Sequence, residues 1–276
     1  GFQSDGNFPT WLGQMAMAIE ARAGQPGFDT RHLRLHVSES LTSSMLDTRG
    51  PDAFWQSRSA EAVVSIDWAD ASNNNVLPYF GPLVHTDDVG QRGAQALLST
   101  NQGLGIIGAL AELPIHLIGH SRGAGVVAEL ARSLGEMGIW VDQLTLLDPH
   151  PLDVDDGVWS GGADPAISLF DSIIAAESFR QNDSLIFPNG IAVPTTHEVD
   201  LSPLIPDVSH PGVHAYYHGS IDPNAASDGD GQSIFADWYV GAPYGPRDQV
   251  GFARSRLGGL PLLASGVDAR LGGTAS

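Results

Sequence analysis

Apolar and polar positions alternate over residues 33–38 (L-R-L-H-V-S), the period-two pattern of a strand with one face in a core. A β-branched run at 62–68 (A-V-V-S-I-D-W) predicts a second strand, closed by a polar turn segment at 69–75. Residues 87–110 carry small and apolar side chains at helical spacing, interrupted by Gly103, Gly105 and Gly108. A short apolar strand is expected at 115–118, between Pro114 and Gly119. The period then lengthens to that of a helix over 123–137, with Val126, Val127, Leu130, Ala131 and Leu134 on one face. Residues 141–147 predict the next strand, stopped by Asp148-Pro149, and 167–176 a further one. Beyond it the chain is loop-rich until a short helix predicted at 213–221. A Gly/Asp/Ser loop (222–232) and an irregular proline-containing stretch (242–247) follow.

Strand–helix–strand alternation at these lengths predicts an α/β fold of parallel units joined by crossover helices, without fixing the strand order. No repeat or low-complexity linker divides the chain, so a single domain over 1–276 with loop-rich insertions is expected.

Composition narrows the function classes. Thirty-two acidic residues face thirteen basic ones, all Arg, for a net charge of -19. Such a surface repels nucleic acid and anionic membranes, and suits a saline or extracellular setting. No stretch of eighteen apolar residues occurs, so no stable membrane insertion is expected. Residues 1–5 read as the start of a mature or trimmed chain rather than a signal peptide, and a secreted or extracytoplasmic bacterial location is expected. With no Cys, thiol nucleophiles, disulfides and Cys-ligated zinc are excluded.

The strongest chemical signal is Gly119-His120-Ser121-Arg122-Gly123, a G-x-S-x-G pentapeptide. The pattern alone is weak, because five-residue matches arise by chance. Its setting sharpens it: an apolar strand ends at Ile118 and a helix opens after Gly123, the strand–turn–helix context of a nucleophile elbow. Flanking glycines let the backbone turn sharply with the hydroxyl exposed, and N–H groups at the helix start can hold an oxyanion. The bland alternative is a glycine-rich turn without chemistry.

A serine needs a base, and the base an orienting carboxylate. Asp148 follows the next predicted strand, although Asp-Pro also initiates turns; Glu177 and Asp200 are rival acids. Residues 207–221 (D-V-S-H-P-G-V-H-A-Y-Y-H-G-S-I) offer His210, expected in a loop, and His214 and His218 on one helix face. The latter pair suits a structural role, or zinc at i and i+4, but no Glu lies between them to act as base.

The order Ile66-Asp67-Trp68, Gly119 to Gly123, Leu147-Asp148-Pro149 resembles the central part of the pancreatic-type lipases and their bacterial lipase and esterase relatives. That family also sets its histidine in a pattern H-x-x-x-x-x-Y-Y-x-x-S-I, which His210, Tyr216, Tyr217, Ser220 and Ile221 match and His214 does not. The resemblance spans under half of the chain. It implies an α/β-hydrolase fold with a mostly parallel central sheet flanked by helices, and a triad of Ser121, Asp148 and His210. Oxyanion donors would be the N–H of Arg122 and one near Val37 or Ser38. Three departures stand out: Arg122 replaces the family's usual Leu, His36-Val37-Ser38 lacks the glycine of its oxyanion strand, and its disulfide-linked lid has no counterpart.

The expected function is cleavage of small-molecule or lipid carboxylic esters through an acyl-enzyme, with no cofactor required. Amides, thioesters or lactones are alternative substrates for the same triad. A non-catalytic binding scaffold is the alternative of another class. The acidic loops at 153–157 and 228–231 admit a structural calcium. Trp238, Tyr239 and Tyr244 are candidates for an acyl pocket or for core packing.

Overall fold

The computed structural model describes residues 7–23, 29–48, 60–72, 84–101, 104–106, 108–151, 164–182, 189–241, 245–255 and 258–259. In chain order the elements are α1 (Thr10–Ala23), β1 (Asp29–Val37), β2 (Ser43–Asp47), β3 (Ala60–Asp67), α2 (Ala69–Ser72), α3 (Thr86–Leu98), β4 (His116–His120), α4 (Arg122–Glu136), β5 (Val141–Leu147), β6 (Ile173–Arg180), β7 (His197–Asp200) and α5 (His210–Ile221).

Strands β4-β5-β6-β7 form an all-parallel sheet in sequence order, as crossover connections require. Strands β2-β1-β3 form a second group, with β1 and β3 parallel and β2 antiparallel at the edge. Among the described residues no ladder joins β3 to β4. Helices cover both faces. On one, Ala94 and Leu97 of α3 and Leu130, Ala131 and Leu134 of α4 pack with Leu33, Leu117, Leu144 and Leu146. On the other, Met15 and Ile19 of α1 and Val213, Tyr216 and Tyr217 of α5 pack with Leu147 and Phe179. Strand β5 is apolar on both faces because both are covered.

Several expectations shift. Strand β5 has the predicted bounds, whereas the strand expected at 167–176 runs from Ile173 to Arg180. The helical pattern at 87–110 stops at Leu98; a Thr100–Ala109 bridge and a short 3₁₀ turn at Leu110–Glu112 follow. The polar turn after β3 begins as the one-turn helix α2. Helix α5 starts three residues earlier than expected, because Ser209 caps it by accepting from Gly212 N–H and Pro211 fits its first turn. His210 is therefore a first-turn helical residue, not a loop residue. Trp238 and Tyr239 are core: the indole donates to the Pro206 carbonyl at 2.7 Å, and the Tyr239 ring stacks on Tyr216. Tyr244 lies outside the described residues, as does the acidic stretch 153–157.

Candidate active site

Ser121 joins β4 to α4 in a conformation that L-residues rarely adopt, φ 57° and ψ -129°. The turn is tight enough that a Cβ on Gly119 would collide with the Gly123 carbonyl oxygen, so this position admits glycine alone. Ser121 N–H donates to the Leu147 carbonyl and His150 N–H to the Ser121 carbonyl, which ties the elbow to the end of β5. The Ser121 hydroxyl makes no capping bond to α4. It lies instead 2.9 Å from His210 Nε2.

His210 Nδ1 is 2.5 Å from Asp148 Oδ2. Asp148 follows β5 directly, has no solvent exposure and sits at φ 45°. Its Oδ1 accepts from Gln181 N–H at 2.9 Å, and its Oδ2 accepts from Gln181 Nε2 at 3.0 Å. Gly190 packs against the same carboxylate; a Cβ there would overlap Asp148 Oδ1. The ends of β4, β5, β6 and the start of α5 thus converge on one hydroxyl–imidazole–carboxylate chain. Because a carboxylate only accepts, Nδ1 carries the ring proton and Nε2 is left to accept from the serine hydroxyl.

The other histidines lie beside this chain. His120 Nε2 donates to the His210 carbonyl at 3.0 Å, and its ring centroid is 4.7 Å from that of His210. Burial pushes the His120 imidazole well down, and the neighbouring His214 and His210 add to this, so it stays neutral. His214 stacks on Trp11 at 4.1 Å with its Nδ1 3.3 Å from Asp228 Oδ2; its imidazole too is pushed down, chiefly by burial. Glu177 is buried within β6, bonded to Gln143 and Thr145, and Asp200 accepts from Ser202. Neither rival acid hydrogen-bonds His210.

Arg122 turns away from the nucleophile. Its Nε and Nη2 grip Asp164 at 2.7 and 2.8 Å, Nη2 also donates to the Val84 carbonyl, and the guanidinium lies 5.0 Å from the Trp68 ring. Asp164 also accepts from Thr86 N–H at the start of α3, so one buried ion pair pins the N-termini of α3 and α4 together. The Arg122 peptide N–H belongs to the first turn of α4, where helical geometry provides no intrahelical acceptor. Ser38 differs from its expected role. It opens the β1–β2 hairpin turn, its N–H donates to the Thr42 carbonyl at 2.9 Å, and its hydroxyl contacts those of Ser40 and Thr42. That N–H is committed, so it supplies no oxyanion donor in this arrangement.

The acidic loop at 228–231 is shaped by Asp228, whose Oδ1 accepts from Asp230 and Gln232 N–H groups while Oδ2 faces His214. Among the described residues no group of three or more His, Asp or Glu side chains converges as a metal site. No helix among them is long and apolar enough to cross a membrane.

The sequence alone does not single out Gln181, Gly190 or Asp164. Gln181 directly follows β6, and a correctly bounded β6 would place it at the strand end where sheet-based sites gather. Gly190 and Asp164 carry no local signal, because their roles exist only through tertiary approach. No family model, curated protein or solved structure matches this chain.

Proposed function

We propose that this chain is a serine hydrolase of the α/β-hydrolase class that cleaves carboxylic esters of small-molecule or lipid type. The observation that carries the reading is a single imidazole. It is bonded on one side to a hydroxyl held on a strained strand-to-helix turn, and on the other to a buried carboxylate. As Ser121 Oγ attacks the ester carbonyl carbon, its proton passes to His210 Nε2. The imidazolium so formed is stabilised by Asp148, which Gln181 holds and orients by two donated bonds. The oxyanion develops at the start of α4, where the Arg122 N–H and the positive end of the helix favour negative charge. Collapse returns the proton from Nε2 to the leaving alcohol and leaves an acyl-Ser121 ester. Water, deprotonated by the same Nε2, then releases the carboxylic acid and restores the serine.

Hydrolysis of p-nitrophenyl butyrate by the protein and by Ser121→Ala tests this. Loss of turnover by about 10⁴-fold or more, with an unaltered circular dichroism spectrum, is expected. Comparable turnover by the variant would overturn the reading.

A further inference from the structure

The residue before the nucleophile is itself an imidazole. His120 ends β4 in register with Leu147 at the end of β5, so its side chain falls on the sheet face that α1 and α5 cover. Two aromatic walls hold its ring there. The Trp11 indole of α1 meets it at 5.6 Å and 79°, and the His214 imidazole of α5 at 4.8 Å and 89°. Trp11 and His214 stack on each other with centroids 4.1 Å apart, so each wall supports the other. Held this way, the ring is buried and its Nε2 lies 3.0 Å from the His210 carbonyl oxygen. Because a carbonyl only accepts, Nε2 carries the ring proton.

The bond supplies something that α5 does not provide for itself. His210 opens that helix, and its side chain reaches back to Ser121 and Asp148 at the ends of β4 and β5. The Ser209 cap and Pro211 fix the first turn internally, but they do not tie that turn to the elbow. His120 does so, joining the backbone of the base to the residue adjoining the nucleophile. Its charge state suits the place. During acyl transfer His210 becomes a cation, and its ring centroid is 4.7 Å from that of His120. Burial, with His214 and His210 beside it, keeps His120 neutral. A Lys or Arg could donate to the same carbonyl, but its charge would oppose the imidazolium.

We propose that His120 is a positioning residue for the general base, its Nε2–H fixing the His210 backbone relative to Ser121. The proposal rests on the serine hydrolase reading above. His120 touches neither the ester nor the transferred proton and acts only through His210. Displacing a reacting group by about 1 Å costs about a hundredfold in rate, which sets the size of the effect.

The test compares His120→Gln with His120→Met. The Gln amide nitrogen lies the same number of bonds from the backbone as Nε2 of His, and Met matches Gln in length without a donor. With p-nitrophenyl butyrate, His120→Met should lose about a hundredfold in kcat with KM nearly unchanged, and His120→Gln should recover most of that loss. Proton NMR at low temperature adds a readout that needs no turnover. The His210 Nδ1 proton, shared with Asp148, resonates far downfield while the base is held in register. This resonance should persist in His120→Gln and be broadened or lost in His120→Met. Equal losses in both variants would show that the ring only fills space, and would overturn the proposal. Wild-type kcat and an unchanged resonance in His120→Met overturn it too, and leave the hydrolase reading standing. Should His120→Met fail to fold by circular dichroism, His120→Asn replaces it, its amide too short to reach the carbonyl. A wild type without ester turnover removes the hydrolase reading, and the NMR comparison then decides the positioning role alone. A resonance missing from the wild type as well overturns both.

Discussion

Replacing Glu177 by Gln isolates one buried titration. Glu177 has no solvent exposure; its Oε1 accepts from Gln143 Nε2 at 3.1 Å and Thr145 Oγ1 at 2.7 Å, and its Oε2 is buried without a hydrogen-bond partner. Burial pushes its carboxyl from an ordinary 4.5 up to about 7, against the two hydrogen bonds that pull it down. Between these values the folded chain holds a proton that the unfolded chain has released. The stability contributed by the group is therefore full below about pH 4.5 and is lost as pH rises through about 7. Each tenfold change in proton affinity is worth about 1.4 kcal/mol, so the whole effect is about 3 kcal/mol, nearly all of it falling between about pH 4 and 8.

Glu177→Gln keeps Oε1 as acceptor for both donors and removes the titration. The stability of the variant relative to the wild type should then rise by about 3 kcal/mol from about pH 4 to pH 8. Any constant cost of burying the unpartnered amide N–H groups cancels in that comparison. Urea unfolding followed by tryptophan fluorescence at several pH values reads the difference directly. A gap that stays constant across the range, or shrinks as pH rises, would refute the assignment of a protonated Glu177.

Two further substitutions probe the neighbours of the site. Gly190→Ala drives a Cβ into Asp148 Oδ1, which displaces the carboxylate; kcat should fall about a hundredfold with little change in KM, as steady-state kinetics would show. Asp164→Ala leaves the Arg122 guanidinium buried without its carboxylate. A loss of about 3–5 kcal/mol in urea unfolding is expected, and wild-type stability would contradict the clamp between α3 and α4.

The elements that read well from the sequence are those whose burial writes a pattern. Strand β5 is an unbroken apolar run between covered faces, and α4 carries a clean helical face, so both are legible with nearly their full bounds. Strand β2 is mostly exposed and leaves no apolar period to find. Helix α1 buries Met15, Ala16, Ile19 and Ala23 on the face that Trp11 and Leu12 share, but Met17 lies exposed on another face and Gly13 and several alanines thin the stripe. Strand β6 is expected too early because Glu177, Ser178 and Arg180 interrupt its apolar sequence, while the unpaired stretch before it is apolar.

The same logic divides the site. Ser121, Asp148 and His210 each sit at an element boundary marked by Gly or Pro, and those punctuation marks are local. The contacts that hold Asp148, from Gln181 and Gly190, depend on which strand end lies beside which, and periodicity is silent on neighbours. Ser38 misleads for a related reason: a strand end is visible in the sequence, but not the hairpin that consumes its N–H.

The most direct test of the central claim is covalent. A fluorophosphonate probe reacts with a serine only when a base activates its hydroxyl and an oxyanion site accepts the phosphonyl oxygen. Incubation with the probe followed by peptide mass spectrometry should show one adduct per chain on Ser121, absent from His210→Ala. An unlabelled protein, or labelling of Ser121 that persists without His210, would contradict the proposed triad.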